Sequence, residues 1–343
     1  MQPLKVEDEA DLEECLTRPR PALVAAIHSL SSPLVVLGAG GKMGPSLAVL
    51  ARRAAVAANH SLDVIAVSRF RDVAARDWLE ARGVRTLSAD LLDDRVFASL
   101  PDSGNVAYLV GLKFGTDRNP AATWAANTII PANVGRRYPG ARIAALSTGN
   151  VYPFVPVDRG GAVESDPLTP LGEYANAAVG RERVFEWYSH ERGLQVALLR
   201  LSYAVDLRYG VLVDIARKVM SGEAIGLGNG HFNCIWQGDA NEAVLRSFAL
   251  AAAPASAWNL CLPGAFSVRE TAVKLGGWLG RAPTFEGKES GSALLSDPRR
   301  LWAELGEPAV GFDELLQSVA RWVSRGGRLL DKPTHFEARH GRY

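Results

Sequence analysis

Three cysteines in 343 residues are too few and too scattered for a disulfide framework. Cys15, Cys234 and Cys261 show no zinc spacing either, so no metal site is expected. An excess of one charge is also missing: 38 basic against 37 acidic residues leave a formal net charge of +1. That argues against a broad electrostatic surface for nucleic acid or anionic membrane. No apolar run approaches the roughly 18 residues that span a bilayer. The opening MQPLKVEDEADLEECL is acidic and lacks an apolar h-region, so no cleavable signal is expected. Neither repeats nor low-complexity segments occur. These absences lead to the expectation of a cytoplasmic protein with no nucleic-acid or membrane partner.

What is present is ample material for a core, with 48% hydrophobic residues, and a rhythm that begins at residue 33. PLVVLGAG, LDVIAVS, VRTLSAD, NVAYLVG, ARIAALS and LQVALLRLSY are short apolar runs, and segments with helical spacing separate most of them. Continuous apolar strands alternating with helices predict a parallel sheet covered on both faces. The expected fold is therefore α/β, a Rossmann-type doubly wound parallel sheet with a smaller C-terminal substrate-binding α/β part. Residues 1–32 read as a helical extension packed outside the main domain. Residues 33–201 read as the dinucleotide-binding core, with 232–260 returning to it. Residues 202–231 and 261–330 read as the substrate-binding part, and 331–343 as a polar, peripheral tail.

The first strand runs into Gly38-Ala-Gly40-Gly41-Lys42-Met43-Gly44. Such a loop turns sharply and lets the backbone approach a pyrophosphate, while the next helix presents its free N–H groups. Its place between a strand and a helix supports dinucleotide binding over a ligand-free turn. The second strand ends Val67-Ser68-Arg69-Phe70-Arg71, with no acid at its tip to receive a ribose 2′-hydroxyl. A serine and a guanidinium suit a 2′-phosphate. NADP is thus preferred, with NAD possible; the bland reading is that Arg69 and Arg71 are ordinary surface residues.

Later motifs add to this. Asp90-Leu91 follows the third strand, and Trp124 and Asn127 lie in ATWAANTIIPANV. Ser147-Thr148-Gly149-Asn150-Val151-Tyr152 is similar to an SSxxVY strand end, Trp236-Gln-Gly-Asp239-Ala240 to a VxDVA segment, and NLCLPGAFSVRE to an NxGxxxxxSxxE segment. On these motifs residues 33–325 resemble the extended short-chain dehydrogenase/reductases, specifically the NAD-dependent epimerase/dehydratase family. The resemblance implies that Asp90 and Leu91 lie near the adenine and Val110 and Gly111 beside the nicotinamide. It gives Tyr174 the role of catalytic acid/base and cofactor contact, and Thr148 that of the orienting hydroxyl. Asn150, Tyr203 and His231 are expected at the substrate, although His231 could equally cap a turn in GNGHFN. Pairing of the Trp124 and Tyr174 helices across a two-fold axis, giving a homodimer, is a further implication.

The sequence also departs from the family. A lysine four residues after the tyrosine normally adds positive charge beside it and binds the nicotinamide ribose; here that position is Ala178. Arg181 shares the helix face but lies about 10.5 Å further along the axis. Lys42 is expected to face phosphate or solvent. Lys113, after the fourth strand, is the proposed replacement, against the alternative of a solvated loop lysine. Gly149 and Asn150 replace the acid pair of sugar-nucleotide 4,6-dehydratases. Phe232 stands where nucleotide-sugar epimerases carry an arginine for the diphosphate, and Arg208 is the one compensation in view. Trp124, Trp187, Trp236, Trp278 and Trp322 read as core residues.

The resulting expectation is an NAD(P)-dependent oxidoreductase or epimerase acting by reversible hydride transfer on a small carbohydrate-like hydroxy or keto substrate. A nucleotide-sugar epimerase and an inactive nucleotide-binding sensor or scaffold of the same fold are the alternatives.

Overall fold

An apolar run buried on both faces needs helices above and below it, which a parallel sheet with crossover helices provides. The computed structural model describes residues 4–112, 115, 118–332 and 334–341. Its first strands are β1 (Leu34–Leu37), β2 (Val64–Ser68), β3 (Arg85–Ser88), β4 (Asn105–Tyr108) and β5 (Arg142–Thr148). A two-residue β6 (Val155–Pro156) precedes β7 (Gln195–Leu201) and β8 (Tyr203–Val205). Then follow β9 (Ile225–Gly226), β10 (His231–Phe232), β11 (Cys234–Trp236), β12 (Ser256–Leu260) and β13 (Phe266–Ser267). The main sheet is parallel and ordered β12-β7-β5-β4-β1-β2-β3. Central β1 pairs with β2 on one side and β4 on the other, so the winding reverses there. At such a switch point a ligand crevice opens beyond the carboxyl ends of the strands.

The helices that frame this crevice are α1 (Glu9–Thr17), α2 (Pro21–Ala26), α3 (Gly44–Ala57), α4 (Val73–Glu80), α5 (Pro120–Arg137) and α6 (Glu173–Arg192). Beyond them lie α7 (Val211–Ser221), α8 (Gln237–Arg246), α9 (Val268–Leu279), α10 (Arg299–Leu305) and α11 (Phe312–Ser324). Beneath α3 and α8, Leu47, Leu50, Ala54, Phe248 and Trp258 cover one face of the sheet. Tyr108, Ile130, Val134, Phe185 and Val196 cover the other beneath α5 and α6. Burying each large apolar side chain stabilises the fold by about 1.5–3 kcal/mol. No helix among the described residues is long and apolar enough to cross a membrane.

A separate core joins α1, α7, α9 and α11 through Leu12, Leu16, Leu212, Ile215, Leu275, Leu315 and Trp322. The N-terminal segment, expected on the outside, is thus part of this interior. The tail also departs from a peripheral reading. Phe336 is buried in the same core, and Thr334 donates from both its N and its Oγ1 to Asp214 at 2.7 and 2.6 Å. Glu337 accepts from Lys218 Nζ at 2.7 Å and from the Gly226 amide at 2.6 Å. Residue 341 then packs against the α6 cap: a Cβ on Gly172 would lie 2.0 Å from the Gly341 carbonyl oxygen.

Three tryptophans expected in the core are not there. Trp124, Trp187 and Trp278 are 38, 49 and 45% exposed, whereas Trp236 and Trp322 are buried. Trp124 reaches from α5 to α6, where its ring lies over Gly180 and its Nε1 donates to Glu173 at 2.6 Å.

Candidate active site

The turn after β1 has a shape only glycine permits at two points. Gly38 has φ +83°, and a Cβ on it would lie 2.9 Å from the carbonyl carbon of Leu109. A Cβ on Gly44 would lie 2.4 Å from the Ala39 carbonyl oxygen. The loop therefore lies flat against β4 and the start of α3. Met43 caps α3 without a side-chain hydrogen bond, so the first-turn amides keep no side-chain acceptor. This bare, closely packed cradle fits a dinucleotide pyrophosphate.

At the tip of β2, Ser68 Oγ occupies the space a Cβ on Gly40 would enter, 2.6 Å away. Arg69 is half exposed, with Nη1 3.9 Å from the Asp90 carboxylate. Arg71 is exposed. An acid therefore stands beside the tip after all, supplied by Asp90, two residues beyond β3, and not by β2. Leu91 is buried in the core.

A cavity of about 300 Å³ opens from this loop across the carboxyl ends of the strands. Gly38, Gly41, Lys42, Met43, Gly44 and Gly111 line it. Thr148, Asn150, Tyr174, Tyr203 and His231 line it as well. These expected site residues thus come together. Thr148 is buried at the end of β5, where its Oγ1 accepts from the Asn150 amide at 3.2 Å. Tyr174 stands in the first turn of α6, just after the Gly172 cap. His231 lies in β10 opposite Ser267, not in a turn, and its Nδ1 is buried without a hydrogen-bond partner among the described residues. The Val110 carbonyl accepts from Arg181 Nη1 at 2.8 Å. Lys113 lies outside the described residues.

Ala178 is fully buried in a small apolar cluster with Val151, Tyr152, Val155 and Leu295. The side chains around it explain what its helix face does instead. One turn on, Glu182 is completely buried and bonds Arg200 Nη2 at 2.7 Å. Ser147 Oγ also donates to Glu182, and Arg200 Nη1 donates to Tyr152 Oη at 2.6 Å. Burial acts against the Arg200 charge, but the bonds and charge of Glu182 outweigh it and hold the guanidinium above its ordinary range. Burial likewise pushes the Tyr152 hydroxyl up to about 12, against the pull of Arg200. This network ties the end of β5, next to Thr148, to Glu182 in the middle of α6, the helix that carries Tyr174 in its first turn.

Lys42, expected to face phosphate or solvent, is half-buried on the wall of the cavity. Its ammonium donates to the Ala204 carbonyl at 2.5 Å and lies 4.3 Å from the centre of the Tyr209 ring. Burial pushes the Tyr209 hydroxyl up to about 12, with added repulsion from Asp214 and Tyr174. Tyr209, Tyr174 and Lys42 line the same cleft. Sequence reasoning missed Tyr209 because a lone tyrosine in a loop carries no pattern.

The far end of the cleft lacks a free cation for a diphosphate at the positions considered. Phe232 is buried against Phe266 and Phe312. Arg208 is held by Asp206 at 2.7 Å and Glu9 at 2.9 Å. Asn229, on the cleft wall, donates to the Phe336 carbonyl at 2.7 Å, so the tail backs this end.

Comparison with known proteins agrees with this geometry. The sequence model of the NAD dependent epimerase/dehydratase family matches residues 34–231. No curated protein matches the chain in sequence. Among solved structures, MoeE5 in complex with UDP-glucose and NAD is similar at 20% identity and TM-score 0.68, covering 86% of this chain and 99% of its own. UDP-glucose 4-epimerase from Thermotoga maritima has 17% identity and TM-score 0.68, with the same coverage. DesIV, a dTDP-glucose 4,6-dehydratase from Streptomyces venezuelae, has 20% identity and TM-score 0.71 over 85% of this chain and 97% of its own. At these identities the likeness is one of fold.

Proposed function

The chain belongs to the NAD-dependent epimerase/dehydratase family, and from that premise we propose that it is an NAD(P)-dependent oxidoreductase or epimerase for a small carbohydrate-like hydroxy or keto compound. The observation that carries this reading is that Tyr174 and Thr148 face the same cleft as the glycine loop. A bound nicotinamide dinucleotide, held by the Gly38–Gly44 loop, would supply the hydride chemistry.

The residues of the chain handle the proton. Oxidising an alcohol takes a proton from oxygen as hydride leaves carbon, and Tyr174 accepts that proton or returns it in the reverse direction. Thr148 holds the substrate oxygen with its hydroxyl. Lys42, on the wall shared with Tyr209, adds positive charge where negative charge develops. Asn150, Tyr203 and His231 offer hydrogen bonds to the substrate hydroxyls.

Phe232, the engaged Arg208 and the docked tail favour a substrate without a nucleotide diphosphate, since a diphosphate binds well only with cationic partners. The solved neighbours named for UDP-glucose and dTDP-glucose favour the opposite, a nucleotide-sugar epimerase. A panel of free sugars, sugar acids and nucleotide sugars separates the two. Turnover of the last class alone overturns the small-substrate reading. Tyr174→Phe is expected to lower turnover by about 10²–10⁴-fold while leaving nucleotide binding intact. Activity that survives it overturns the mechanism. Nucleotide binding with no turnover on any substrate favours the non-catalytic sensor instead.

NADP remains the preferred cofactor because Ser68 and Arg69 stand at the β2 tip, although Asp90 partly neutralises Arg69. Titration with both nucleotides tests this: Asp90→Asn should tighten NADP more than NAD, and an equal effect removes the argument. A homodimer through α5 and α6 is supported by the exposed Trp124, Ile129 and Trp187. Sedimentation of the protein with and without Trp187→Glu tests it.

A further inference from the structure

Two arginines are almost fully buried in the interior, Arg200 at 3% and Arg181 at 4% exposure. Glu182 neutralises the first. The second has no carboxylate within ion-pair distance among the described residues. Its Nη1 donates to the Val110 carbonyl at 2.8 Å, and its Nε is buried with no hydrogen-bond partner among the described residues. A buried cation without a counter-charge is costly, so its place in the fold calls for a reason.

That place is under the cleft wall. Arg181 follows Tyr174 by seven residues on α6 and reaches the carboxyl end of β4. Gly111, the next residue of that strand end, is exposed and lines the cleft. A Cβ on Gly111 would stand 2.9 Å from Arg181 Nη1. One glycine therefore separates the guanidinium from the cavity. The charge also acts on its surroundings: burial pushes the Tyr108 hydroxyl up, and Arg181 pulls against that shift.

A doubly wound sheet is built from two mononucleotide-binding halves. The glycine loop after β1 belongs to the first, and β4 and β5 belong to the second. Resting on the dinucleotide reading above, we propose that Arg181 is a positioning residue for the nicotinamide mononucleotide half of the cofactor. It holds the Val110–Gly111 edge through Nη1 and places a positive charge behind it, which would favour the anionic part of that half when bound. The cation absent at Ala178 is thereby supplied from the next turn of the same helix, from below the strand end.

The test uses calorimetric titration of the full chain with NAD and NADP, and with 5′-AMP and 2′,5′-ADP as probes of the adenine half alone. Arg181→Met should weaken the dinucleotides by about tenfold or more and leave the adenine-half probes unchanged. Arg181→Lys, which keeps the charge, should lose less. Gly111→Ala should reproduce the selective loss, because its methyl displaces the guanidinium; it carries the test if Arg181→Met fails to fold. Equal weakening of both probe classes, or of neither, overturns the assignment and leaves the dinucleotide reading standing. A wild-type protein that binds the adenine-half probes and dinucleotides equally also overturns it. A wild-type protein that binds none of them overturns the dinucleotide reading first and this inference with it.

Discussion

Lys42 lies over Tyr209, its ammonium 4.3 Å from the ring centre, so a side chain of the glycine loop crosses to the opposite wall of the cleft. A cation on an aromatic face is held by the ring quadrupole, and here a carbonyl 2.5 Å away assists. Removing the charge should hurt the chemistry more than the binding. Lys42→Met is expected to lower kcat by about a hundredfold, with Lys42→Arg retaining most of it. Steady-state kinetics on any substrate found by the panel reads this directly. A Lys42→Met enzyme with unchanged kcat removes Lys42 from the mechanism.

Arg200 and Glu182 form a buried pair that also satisfies Ser147 and Tyr152. Deleting one partner strands a charge in the interior. Arg200→Met should therefore destabilise the fold by about 3–5 kcal/mol. Combining it with Glu182→Leu should recover part of that loss, because two apolar groups leave no lone charge. Urea unfolding of the two variants gives both values, and a double variant less stable than the single one contradicts the account.

Glu14 on α1 offers a pH test. Hydrogen bonds from Arg53 hold its carboxyl down from 4.5 to about 2. A carboxylate whose folded value is depressed contributes above its unfolded value and loses that contribution as pH falls through the folded one. The contribution is complete above about 4.5 and disappears between 4.5 and 2. Its side chain is 40% exposed, so the effect is below about 1 kcal/mol. Stability of Glu14→Gln measured from pH 6 to pH 2 should fall less steeply over that window than that of the wild type.

The alternation of apolar runs and helical spacing made the parallel sheet legible, because burial on both faces leaves no polar stripe to confuse it. The glycine loop, Thr148 and Tyr174 were legible for a similar reason: each sits at a strand end or helix start that the pattern marks. Lys42 was not, because the direction of its side chain depends on Ala204 and Tyr209, more than 160 residues away. Asp90 escaped notice as a partner of Arg69 because the two meet only when β2 and β3 pair. Exposed Trp124 looks like a core residue in sequence, since apolar neighbours on a helix do not reveal which face meets solvent. The two-residue strands β9 and β10 are too short to show any period at all.

The tail was the least legible part, and it carries the last prediction. In a polar stretch, Phe336 is a single apolar anchor that finds a core built by α7, α9 and α11. Phe336→Ala should cost about 3 kcal/mol by leaving a cavity there. It should also loosen Asn229 on the cleft wall, which bonds the Phe336 carbonyl. Calorimetric melting checks the first effect. The second would appear as weaker binding of the substrate with NAD(P) affinity unchanged.

Residues 334–341 touch Gly172, Asp214, Lys218, Gly226 and Asn229, every one of which precedes them in the chain. During synthesis the glycine loop, the sheet and Tyr174 are therefore all outside the ribosome before the segment that backs the cleft has been made. The nascent protein passes through a stage in which every strand of the parallel sheet has been made and the segment that backs Asn229 has not. The order of translation thus becomes an order of assembly for the site.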